Sequence, residues 1–348
     1  MKRIVIMAGG TGGHVFPALA VAQSLQEKGW QVSWLGTQKG LESRVIPEHG
    51  IAIDWLSVAG VRGKGLLSKI TALFKLFKAC WQAAKILRQR KPDVVLGMGG
   101  FVAGPGGLMA KFLGIPLVIH EQNRVPGTTN LMLAEFANRV LEAFPNSFPK
   151  KIHAQCTGNP LRKAFVQAQP EKNSSNEINI LVVGGSQGAQ ILNETVPEAV
   201  ALLSGIKVRH QTGDVMLGQV AAHYQELGID AQASAFIDDM VAAYHWADLV
   251  ICRAGAMTVS EVSAMGVPAI FIPLPSAIDD HQTANANYLT EAQAGILLMQ
   301  NDLTARSLAA HITQTSQNLA AMGKAARQCA RLDATEAVAA VCIEEAGV

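Results

Sequence analysis

The residues with the clearest chemical potential lie near the amino terminus, where GGTGGH occupies positions 9–14. This stretch follows the apolar run RIVIMA and precedes VFPALAVAQSL, which has the pattern of a helix. Glycines permit positive φ and close backbone approach, and the amides at a helix amino terminus attract an anion. A histidine is largely neutral at neutral pH and can accept a proton. We expect either an anion site beside a general base, His14, or only a tight turn between strand and helix.

Two common nucleotide-binding motifs do not fit this stretch. A dinucleotide-binding GxGxxG loop is not formed, because Val15 occupies the place of its third glycine. The next predicted strand, QVSWLGT, ends without the acidic residue that such a site needs for a ribose. The chain also contains no GxxxxGK[ST] motif. The sequence therefore disfavours a nicotinamide-dependent dehydrogenase and a P-loop phosphotransferase.

A second loop carries an acid that the first half lacks. AGAMTVSE, at 254–261, ends in Glu261, early in a predicted helix, whereas the corresponding segment 97–107 has six glycines and no acid. Glu261 either compensates the helix dipole or accepts two hydrogen bonds from the hydroxyls of a ribose. If Glu261 binds a ribose, the second half is the nucleotide-binding half. The segment 97–107, which has no acid, would then bind a diphosphate that carries no nucleoside.

Both loops belong to a pattern that the chain repeats. INILVVGGSQGAQILNE, beginning at Ile178, repeats the strand, glycine loop and helix of RIVIMAGGTGGHVFPA, beginning at Arg3. The segment from Asp93, DVVLGMGGFVAGPGGLMAKFLGIPLVI, matches DLVICRAGAMTVSEVSAMGVPAIFI from Asp248. Short apolar runs alternate with longer helical segments such as 17–28, which predicts an α/β fold of two doubly wound, Rossmann-like parallel sheets. The predicted strands include 4–7, 94–96, 117–119, 180–183, 249–251 and 269–272.

The boundary between the halves is predicted near Asn159, in GNPLR, just before the polar stretch 169–179. We expect a first domain over 1–158 and a second over 159–333. The pattern leaves open whether the final segment, 334–348, returns to the first domain. Ligands of such sheets bind beyond the carboxyl ends of the strands, so we expect a substrate in an interdomain cleft.

Composition sets limits on partners and compartment. Of 348 residues, 49% are hydrophobic, and 29 basic residues nearly balance 27 acidic ones, so a nucleic-acid partner is not expected. Five cysteines without a CxxC pattern indicate neither a disulfide framework nor a zinc site, which fits a reducing cytoplasm. We expect no signal peptide and no membrane span, because no apolar run is long enough. Any membrane contact is therefore expected to be peripheral.

Eight motifs together resemble the MurG family, the peptidoglycan N-acetylglucosaminyltransferases of the two-domain GT-B class. The resemblance implies transfer of N-acetylglucosamine from UDP-GlcNAc to the C4 hydroxyl of the muramic acid in undecaprenyl-pyrophosphoryl-MurNAc-pentapeptide (lipid I), with inversion, to give lipid II. It implies no cofactor, and cell-wall synthesis or division proteins are compatible partners. The motifs, in chain order, are GGTGGHVFPALA, VVLGMGGFVAGPGG, IHEQN, GNPLR, VVGGSQGA, FIDDM, RAGAMTVSE and HQTANA.

The resemblance also implies site residues. It implies that residues of the second half contact the diphosphate, the uracil edge, the ribose and the sugar hydroxyls of the donor. Residues of the first half are expected to approach the donor from across the cleft. These donor residues are Thr11, Gly12, Gly13, Asn123, Arg162, Ser186, Ile237, Ala256, Met257, Thr258, Val259, Ser260, Glu261, Gln282 and Asn285. The residues expected at the acceptor diphosphate are Gly99, Gly100, Phe101, Gly104, Gly106 and Asn130. Phe101 departs from a family tyrosine, so any contact through that hydroxyl is absent here.

The identity of the base stays open among three residues. His14 is one candidate, and His120 and Glu121 of HEQN are the others. For the leaving diphosphate we expect backbone amides of the 254–261 loop, with Arg162, rather than a metal ion. The acidic pairs at 238–239 and 279–280 are expected to be solvated loop residues.

The segment KGLLSKITALFKLFKACW predicts an amphipathic helix with an apolar stripe and neighbouring lysines. By pattern alone the stripe either faces the protein core or lies on a membrane. A lipid-linked acceptor favours peripheral attachment to an anionic surface, at the cytoplasmic face of the bacterial inner membrane. The expected membrane residues are Leu66, Leu67, Lys69, Ile70, Leu73, Phe74, Lys75, Phe77, Lys78 and Trp81, with Lys64 beside them.

Two other functions share parts of this pattern. A UDP-GlcNAc 2-epimerase would have the same two halves and a ribose-binding acid, but it needs no second glycine-rich site for a lipid diphosphate. A tubulin-like GTP-binding assembly protein would also have a glycine-rich and threonine-rich loop, but it has no reason to repeat its loops in each half. Neither explains HEQN or HQTANA.

Overall fold

The computed structural model describes residues 1–58, 66–169, 177–185, 188–275 and 278–347, with the backbone alone at 66–73 and 278. Its contacts divide the chain into two compact units. One comprises Met1–Arg162 together with Leu332–Val348, and the other comprises Lys163–Arg331. The division falls between Arg162 and Lys163, close to the boundary expected at Asn159, and the final segment belongs to the first unit.

The first unit is built on a seven-stranded sheet in which every pairing is parallel. The order across the sheet is β3-β2-β1-β4-β5-β6-β7. The strands are β1 (Arg3–Met7), β2 (Gln31–Gly36), β3 (Ala52–Trp55), β4 (Val94–Gly97), β5 (Leu117–Glu121), β6 (Arg139–Glu142) and β7 (Gln155–Cys156).

Helices cover both faces of this sheet. Successive side chains of a strand point to opposite faces, so Ile4 and Ile6 of β1 enter one core and Val5 and Met7 enter the other. The helices are α1 (Gly12–Glu27), α2 (Glu42–Glu48), α3 (Leu66–Arg90), α4 (Ala103–Phe112) and α5 (Thr128–Ala134), with α14 (Ala334–Glu345) from the end of the chain. Buried residues of α14, such as Val338 and Cys342, share the core that α1 covers.

The second unit repeats this plan with a six-stranded parallel sheet of order β10-β9-β8-β11-β12-β13. Its strands are β8 (Ile178–Val183), β9 (Ile206–Gln211), β10 (Ala231–Ser234), β11 (Leu249–Cys252), β12 (Ala269–Phe271) and β13 (Gly295–Leu297). Its helices are α6 (Lys163–Gln167), α7 (Gln190–Val200), α8 (Leu217–Glu226), α9 (Met240–Trp246), α10 (Ala256–Met265), α11 (His281–Thr290), α12 (Ala305–Ser316) and α13 (Leu319–Gln328). Both sheets therefore have the strand order of a doubly wound fold, which confirms the predicted fold class.

Helix α1 begins earlier than the helical stretch VFPALAVAQSL expected from the sequence. It starts at Gly12, so His14 lies in its first turn. Thr11 has extended backbone angles and its carbonyl oxygen accepts the first helical bond, from the amide of Val15, at 3.2 Å. A proline often marks a helix start, but here it lies in the second turn. Among the described residues, no helix has the length and apolar character needed to cross a bilayer.

Candidate functional site

In the first unit the chemistry-bearing residues follow three neighbouring strands. β1 leads to Gly9 and α1, β4 leads to Gly99 and α4, and β5 ends at Glu121. Because β1, β4 and β5 are adjacent and parallel, their carboxyl ends share one edge of the sheet. This edge is where doubly wound sheets bind ligands.

His14 lies between the second glycine loop and the end of β5. A Cβ atom placed on Gly99, whose φ is +93°, would be 2.9 Å from Cε1 of His14, so only glycine leaves room for the imidazole there. On its other side, Nδ1 of His14 is 2.7 Å from Oε1 of Gln122. The structure therefore places His14 in a defined position at the edge of the sheet.

His120 is unsuited to the role of general base. Its side chain is fully buried, and both ring nitrogens have partners. Nε2 lies 2.9 Å from the carbonyl oxygen of Gly158, and Nδ1 lies 3.0 Å from Nε2 of Gln122. Burial lowers the pKa of His120 to about 4, against which the Gly158 hydrogen bond and the charge of Glu121 act only partly. Of the three predicted candidates, this one has no nitrogen left to receive a substrate proton.

Glu121 is also engaged within the protein. Its buried carboxylate accepts hydrogen bonds from the backbone and side-chain amides of Asn123, from the amide of Gly127 at 3.1 Å and from Nδ2 of Asn130 at 2.8 Å. These four donors on one carboxylate hold the loop that follows β5. Glu121 therefore orders this loop, and a role as the base is not supported.

Asn130 and Gly106 do not have the geometry of phosphate ligands. Nδ2 of Asn130 donates to the carbonyl oxygen of His120 and to Glu121, and its buried Oδ1 is an acceptor with no partner among the described residues, which would repel a phosphate oxygen. A Cβ at Gly106 would collide with Sδ of Met7, and its amide donates to Val102 within α4. Close helix packing therefore accounts for the glycine at 106.

The remaining predicted acceptor residues surround the start of α4. Gly100 has φ of +79°, and a Cβ there would be 2.5 Å from the carbonyl oxygen of Gly9, so the backbones of the two glycine loops touch. Phe101 is exposed and precedes α4, and Gly104 lies in its first turn. Gly99, Gly100, Phe101 and Gly104 thus lie in the loop before α4 and in its first turn, with Gly99 against His14.

Sequence reasoning missed Glu42, the first residue of α2. Its fully buried carboxylate accepts from the amide of Gly10 at 3.0 Å and from the amide and hydroxyl of Thr37, both at 2.8 Å. Gly9, Gly36 and Gly40 leave room for it, since a Cβ on any of them would approach its side chain closely. An acid two residues after a glycine, as in KGLE, was the available signal, although nothing local indicates its partners.

In the second unit, α10 begins at the carboxyl end of β11 with Gly255 as its N-cap. The amide of Val259 already donates to the carbonyl oxygen of Gly255 at 3.0 Å, whereas the amides of Met257 and Thr258 precede this first helical bond and have no acceptor within the helix itself. Val259 is buried, and the hydroxyl of Ser260 donates to the carbonyl oxygen of Ala256. Val259 and Ser260, both predicted as substrate contacts, are therefore used by the helix itself.

Glu261 lies in the second turn of α10, and no acidic residue occupies the first turn. Compensation of the helix dipole, one of its two predicted roles, is therefore not supported, since that effect falls off within the first turn. The hydroxyl of Tyr244 is 3.4 Å from Oε2 of Glu261. This contact orients the carboxylate from the neighbouring helix α9.

The amides of HQTANA lie on α11, which packs against α10. Asn285 is fully buried, and its Nδ2 is 3.2 Å from the carbonyl oxygen of Ala254. Oε1 of Gln282 accepts from the amide of Leu274 at 2.9 Å. Both side chains are thereby fixed to the segments that follow β11 and β12.

Arg253 is a further residue that sequence reasoning missed. It is half-buried between β11 and α10, and its Nη1 donates to the carbonyl oxygens of Ile272 and Pro273 at 3.0 and 3.1 Å. Burial lowers the pKa of its guanidinium, which still carries its charge at neutral pH. The structure thus holds a positive charge in the segment between β11 and α10.

The other predicted donor residues are dispersed or outside the described part of the chain. Ser186 lies outside the described residues. Arg162 is exposed at the end of the first unit, 6.0 Å from the centre of the Phe16 ring, and the half-buried Ile237 lies in the loop before α9. Thr11, Gly12 and Gly13 form the start of α1, and Asn123 is tied to Glu121.

The acidic pairs have structural partners. Oδ1 of Asp239 accepts from the amide of Ala242 and caps α9, and Oδ1 of Asp280 accepts from the hydroxyl of Thr283 at 2.6 Å. Asp279 and Asp280 both have left-handed backbone angles. Within the described ranges, no group of histidine, cysteine and acidic side chains has an arrangement that could hold a metal ion.

One prediction for α3 was that its apolar stripe faces the protein core. In the structure Ala79, Ala83 and Leu87 of α3 are buried, whereas Phe77 and Trp81 of the predicted stripe are 72% and 61% exposed. The core-facing alternative is therefore wrong for these two aromatic residues. Phe74, Lys75 and Lys78 are also exposed. The side chains of Leu66, Leu67, Lys69, Ile70 and Leu73 lie outside the described residues, as does Lys64 entirely.

Comparisons with known proteins agree with this two-unit organisation. The model of the glycosyltransferase family 28 N-terminal domain matches residues 4–142, and that of the glycosyltransferase family 28 C-terminal domain matches residues 179–340. A protein of Methylococcus capsulatus is 58% identical over 351 residues, which cover 99% of both chains. It is named UDP-N-acetylglucosamine--N-acetylmuramyl-(pentapeptide) pyrophosphoryl-undecaprenol N-acetylglucosamine transferase.

Solved structures support the same relationship. The crystal structure of Acinetobacter baumannii MurG is 43% identical, with a TM-score of 0.86 over 99% of this chain and 100% of that one. A UDP-GlcNAc 2-epimerase from Neisseria meningitidis, bound to UDP-GlcNAc, has a TM-score of 0.66 over 99% of this chain and 100% of its own, but only 14% identity. The second likeness shows a shared fold alone.

Proposed function

The chain belongs to glycosyltransferase family 28, and from that premise we propose that it transfers N-acetylglucosamine from UDP-GlcNAc to undecaprenyl-pyrophosphoryl-MurNAc-pentapeptide. The full-length identity of 58% to a transferase named for this reaction carries the proposal. The product is the lipid-linked disaccharide of peptidoglycan synthesis. We place the new bond at the C4 hydroxyl of the muramic acid and expect inversion at the transferred sugar.

The second unit is proposed to bind the donor. Glu261, oriented by Tyr244, has two carboxylate oxygens that match the two hydroxyls of a ribose. The amides of Met257 and Thr258 lie in the first turn of α10, at the helix end that attracts an anion, which favours a diphosphate. Nε2 of Gln282 is proposed to donate to a sugar hydroxyl, and Asn285 fixes α11 to the segment that follows β11. The backbone of Ile237 is proposed to form hydrogen bonds with the uracil.

The first unit is proposed to bind the acceptor and supply the base. Of the three candidates, only His14 has a ring nitrogen, Nε2, without a partner among the described residues. Gly99, Gly100 and Gly104 beside it leave backbone amides accessible to the acceptor diphosphate. In this proposal Nε2 of His14 takes the proton of the acceptor hydroxyl as that oxygen attacks the anomeric carbon.

The departing UDP carries the negative charge that develops as the sugar bond breaks. The amides at the start of α10 and the guanidinium of Arg253 are the groups proposed to stabilise it. These groups are fixed before reaction, by helix α10 and by the carbonyl oxygens that hold Arg253, so little reorganisation is needed. Arg162 is an additional cation at the end of the first unit.

Attachment to the membrane is proposed to occur through α3. Phe74, Phe77 and Trp81 are exposed aromatic side chains, and Lys75 and Lys78 lie among them. Aromatic side chains enter the bilayer interface, and each lysine contributes about 1 kcal/mol at an anionic surface. The acceptor's polyprenyl chain would then remain in the cytoplasmic leaflet of the inner membrane while its sugar reaches the first unit.

Transfer of radiolabelled N-acetylglucosamine to a short-chain lipid-linked MurNAc-pentapeptide tests the function directly. We expect a labelled disaccharide lipid from the wild-type protein and none when the acceptor is omitted. If UDP-GlcNAc binds but no disaccharide forms with this acceptor, the proposed acceptor is wrong. Consumption of UDP-GlcNAc without any acceptor would instead favour an epimerase-like activity.

A further inference from the structure

Gln122 contacts two histidines at once, and this arrangement has consequences for His14. Its side chain is 99% buried at the end of β5. Oε1 lies 2.7 Å from Nδ1 of His14, and Nε2 lies 3.0 Å from both Nδ1 and the carbonyl oxygen of His120. These contacts belong to one chain of hydrogen bonds, which begins where Nε2 of His120 meets the carbonyl oxygen of Gly158.

The carbonyl oxygens of Gly158 and His120 determine which atoms of this hydrogen-bond chain carry a proton. The carbonyl oxygen of Gly158 only accepts, so Nε2 of His120 carries a proton. Because His120 is fully buried and its pKa is lowered to about 4, the ring is neutral at neutral pH. A neutral imidazole carries one proton, and Nδ1 of His120 therefore has a lone pair and accepts.

The orientation of the Gln122 amide follows next. The amide end that faces His120 meets two acceptors, the Nδ1 lone pair and the carbonyl oxygen. Only the amino group, with its two protons, can donate to both, whereas the reversed amide would direct its oxygen at them. The backbone carbonyl of Gln122 is in turn held by Nδ2 of Asn159 at 3.1 Å. The amide oxygen therefore faces His14.

An oxygen 2.7 Å from Nδ1 of His14 needs a proton on that nitrogen. We propose that Gln122 is a positioning residue that holds His14 as the Nδ1-protonated tautomer, leaving the lone pair on Nε2. The inference rests on the proposed function in one respect, since it is His14 acting as base that makes the tautomer matter. An imidazole without such a partner favours the proton on Nε2, which would leave no lone pair there.

The arrangement parallels the general requirement that a catalytic base be oriented by a third group. Here the orienting group is a neutral amide, and a buried neutral histidine fixes that amide. His120 therefore acts two steps away from the substrate. This explains why a histidine that cannot itself serve as the base lies next to the site.

The tautomer can be measured without reference to activity. In the full-length protein labelled with ¹⁵N-histidine, the ring nitrogen shifts of His14 report which nitrogen carries the proton, and His14→Gln identifies the resonance. We expect Nδ1 of His14 to be protonated in the wild type at neutral pH. Protonation at Nε2 in the wild type would overturn the proposal, whatever the activity of the protein.

The variant Gln122→Met has nearly the same volume and removes all three hydrogen bonds of this side chain. We expect the proton of His14 to move toward Nε2, kcat to fall about tenfold and the KM for UDP-GlcNAc to stay unchanged. The matched control is Gln23→Met, which removes an exposed contact between Gln23 and His49 in the same unit and should alter neither readout.

Two outcomes separate this inference from the proposed function. If the proton of His14 stays on Nδ1 in Gln122→Met, the positioning role of Gln122 is refuted, even if kcat falls. A wild type that has the expected tautomer but shows no transfer would refute the proposed function and leave the positioning role intact. If Gln122→Met does not fold, the wild-type spectrum still decides the orientation of the amide.

Discussion

Gly99 and His14 are in direct contact across the two glycine loops of the first unit. A Cβ on Gly99 would lie 2.9 Å from Cε1 and 3.0 Å from Nδ1 of the imidazole. Real Cβ atoms are not found so close to a side chain that cannot move. The glycine is therefore needed for the position of His14, in addition to any role for its amide.

Gly99→Ala should displace the imidazole of His14 and reduce kcat by about ten- to hundredfold, because misplacement of a base by about 1 Å has such effects. The control is Gly29→Ala. Gly29 has a similar φ of +80°, and nothing lies within 4 Å of its added Cβ. Both variants suffer the backbone strain of a positive φ, so only the displacement differs between them. Equal losses of kcat in the two would contradict the assignment.

Glu261→Gln should weaken UDP-GlcNAc binding by about ten- to hundredfold, since hydrogen bonds to a charged group contribute about 1.5–3 kcal/mol. Isothermal titration measures the change in Kd. Tyr244→Phe should give a smaller loss, because it removes only the contact that orients the carboxylate. Glu226→Gln, an exposed acid on α8 of the same unit, serves as the control. Unchanged donor affinity in Glu261→Gln would exclude the ribose contact.

Glu42→Gln should reduce the free energy of unfolding by about 1–3 kcal/mol, because the new amino group faces donors of Gly10 and Thr37. Urea unfolding followed by circular dichroism measures this loss. Glu48→Gln changes an exposed acid on the same helix and is expected to leave the midpoint where it is. A Glu42 variant as stable as the wild type would show that the carboxylate does not hold the loop.

The stability of the second unit should fall as the pH is lowered, in part because of His210. Burial lowers the pKa of His210 from 6.5 to about 3, so the unfolded chain binds a proton that the folded chain does not. The stability is fully present above pH 6.5 and is lost as the pH falls toward 3, with a slope of about 1.4 kcal/mol per pH unit within that window. His210→Gln should flatten the dependence of the urea midpoint on pH. The control His153→Gln changes an exposed histidine and should leave this pH dependence unchanged. If the urea midpoint of His210→Gln depends on pH as steeply as that of the wild type, the assignment to His210 is refuted.

Replacing Lys75 and Lys78 with glutamate should weaken binding to anionic vesicles by at least tenfold per residue at low salt, because about 1 kcal/mol is lost with each positive charge and repulsion is added. Phe77→Ser with Trp81→Ser should weaken binding at all salt concentrations, since it removes apolar contact. The controls, Lys324→Glu and Leu202→Ser, change exposed residues of the second unit. Co-sedimentation measures binding, and unaltered binding of both α3 variants would place the membrane surface elsewhere.

The fold was predictable because its signals are local. Buried parallel strands such as β1 and β8 consist of continuous apolar runs, and the internal repeat relates the two sheets directly. The start of α1 was placed too late, because the glycines of its first turn are poor helix formers and the contribution of Thr11 depends on its backbone angles. Within the site, the types of residue were evident but their partners were not.

The contacts that decide roles in the site span long stretches of the chain. Gln122 meets His14 across 108 residues, and Glu42 meets Gly10 across 32. The sequence indicated no role for Gln122 or Glu42, because a glutamine near a histidine and a glutamate near a glycine occur in many structural contexts. His120 and Glu121 attracted attention as bases for the same reason, because the hydrogen bonds that engage both side chains are properties of the folded chain.

Helix α14 has a bearing on how the protein is made. It packs on α1, and its Glu336 accepts from Ser24 and Lys28, so the core of the first unit is completed by residues that are translated after the whole second unit. The second unit is one continuous segment, Lys163–Arg331, and its core does not include α14. The first unit therefore has to wait for residues beyond the second unit before its core is complete. Loss of α14 alone would accordingly damage the unit in which His14 lies.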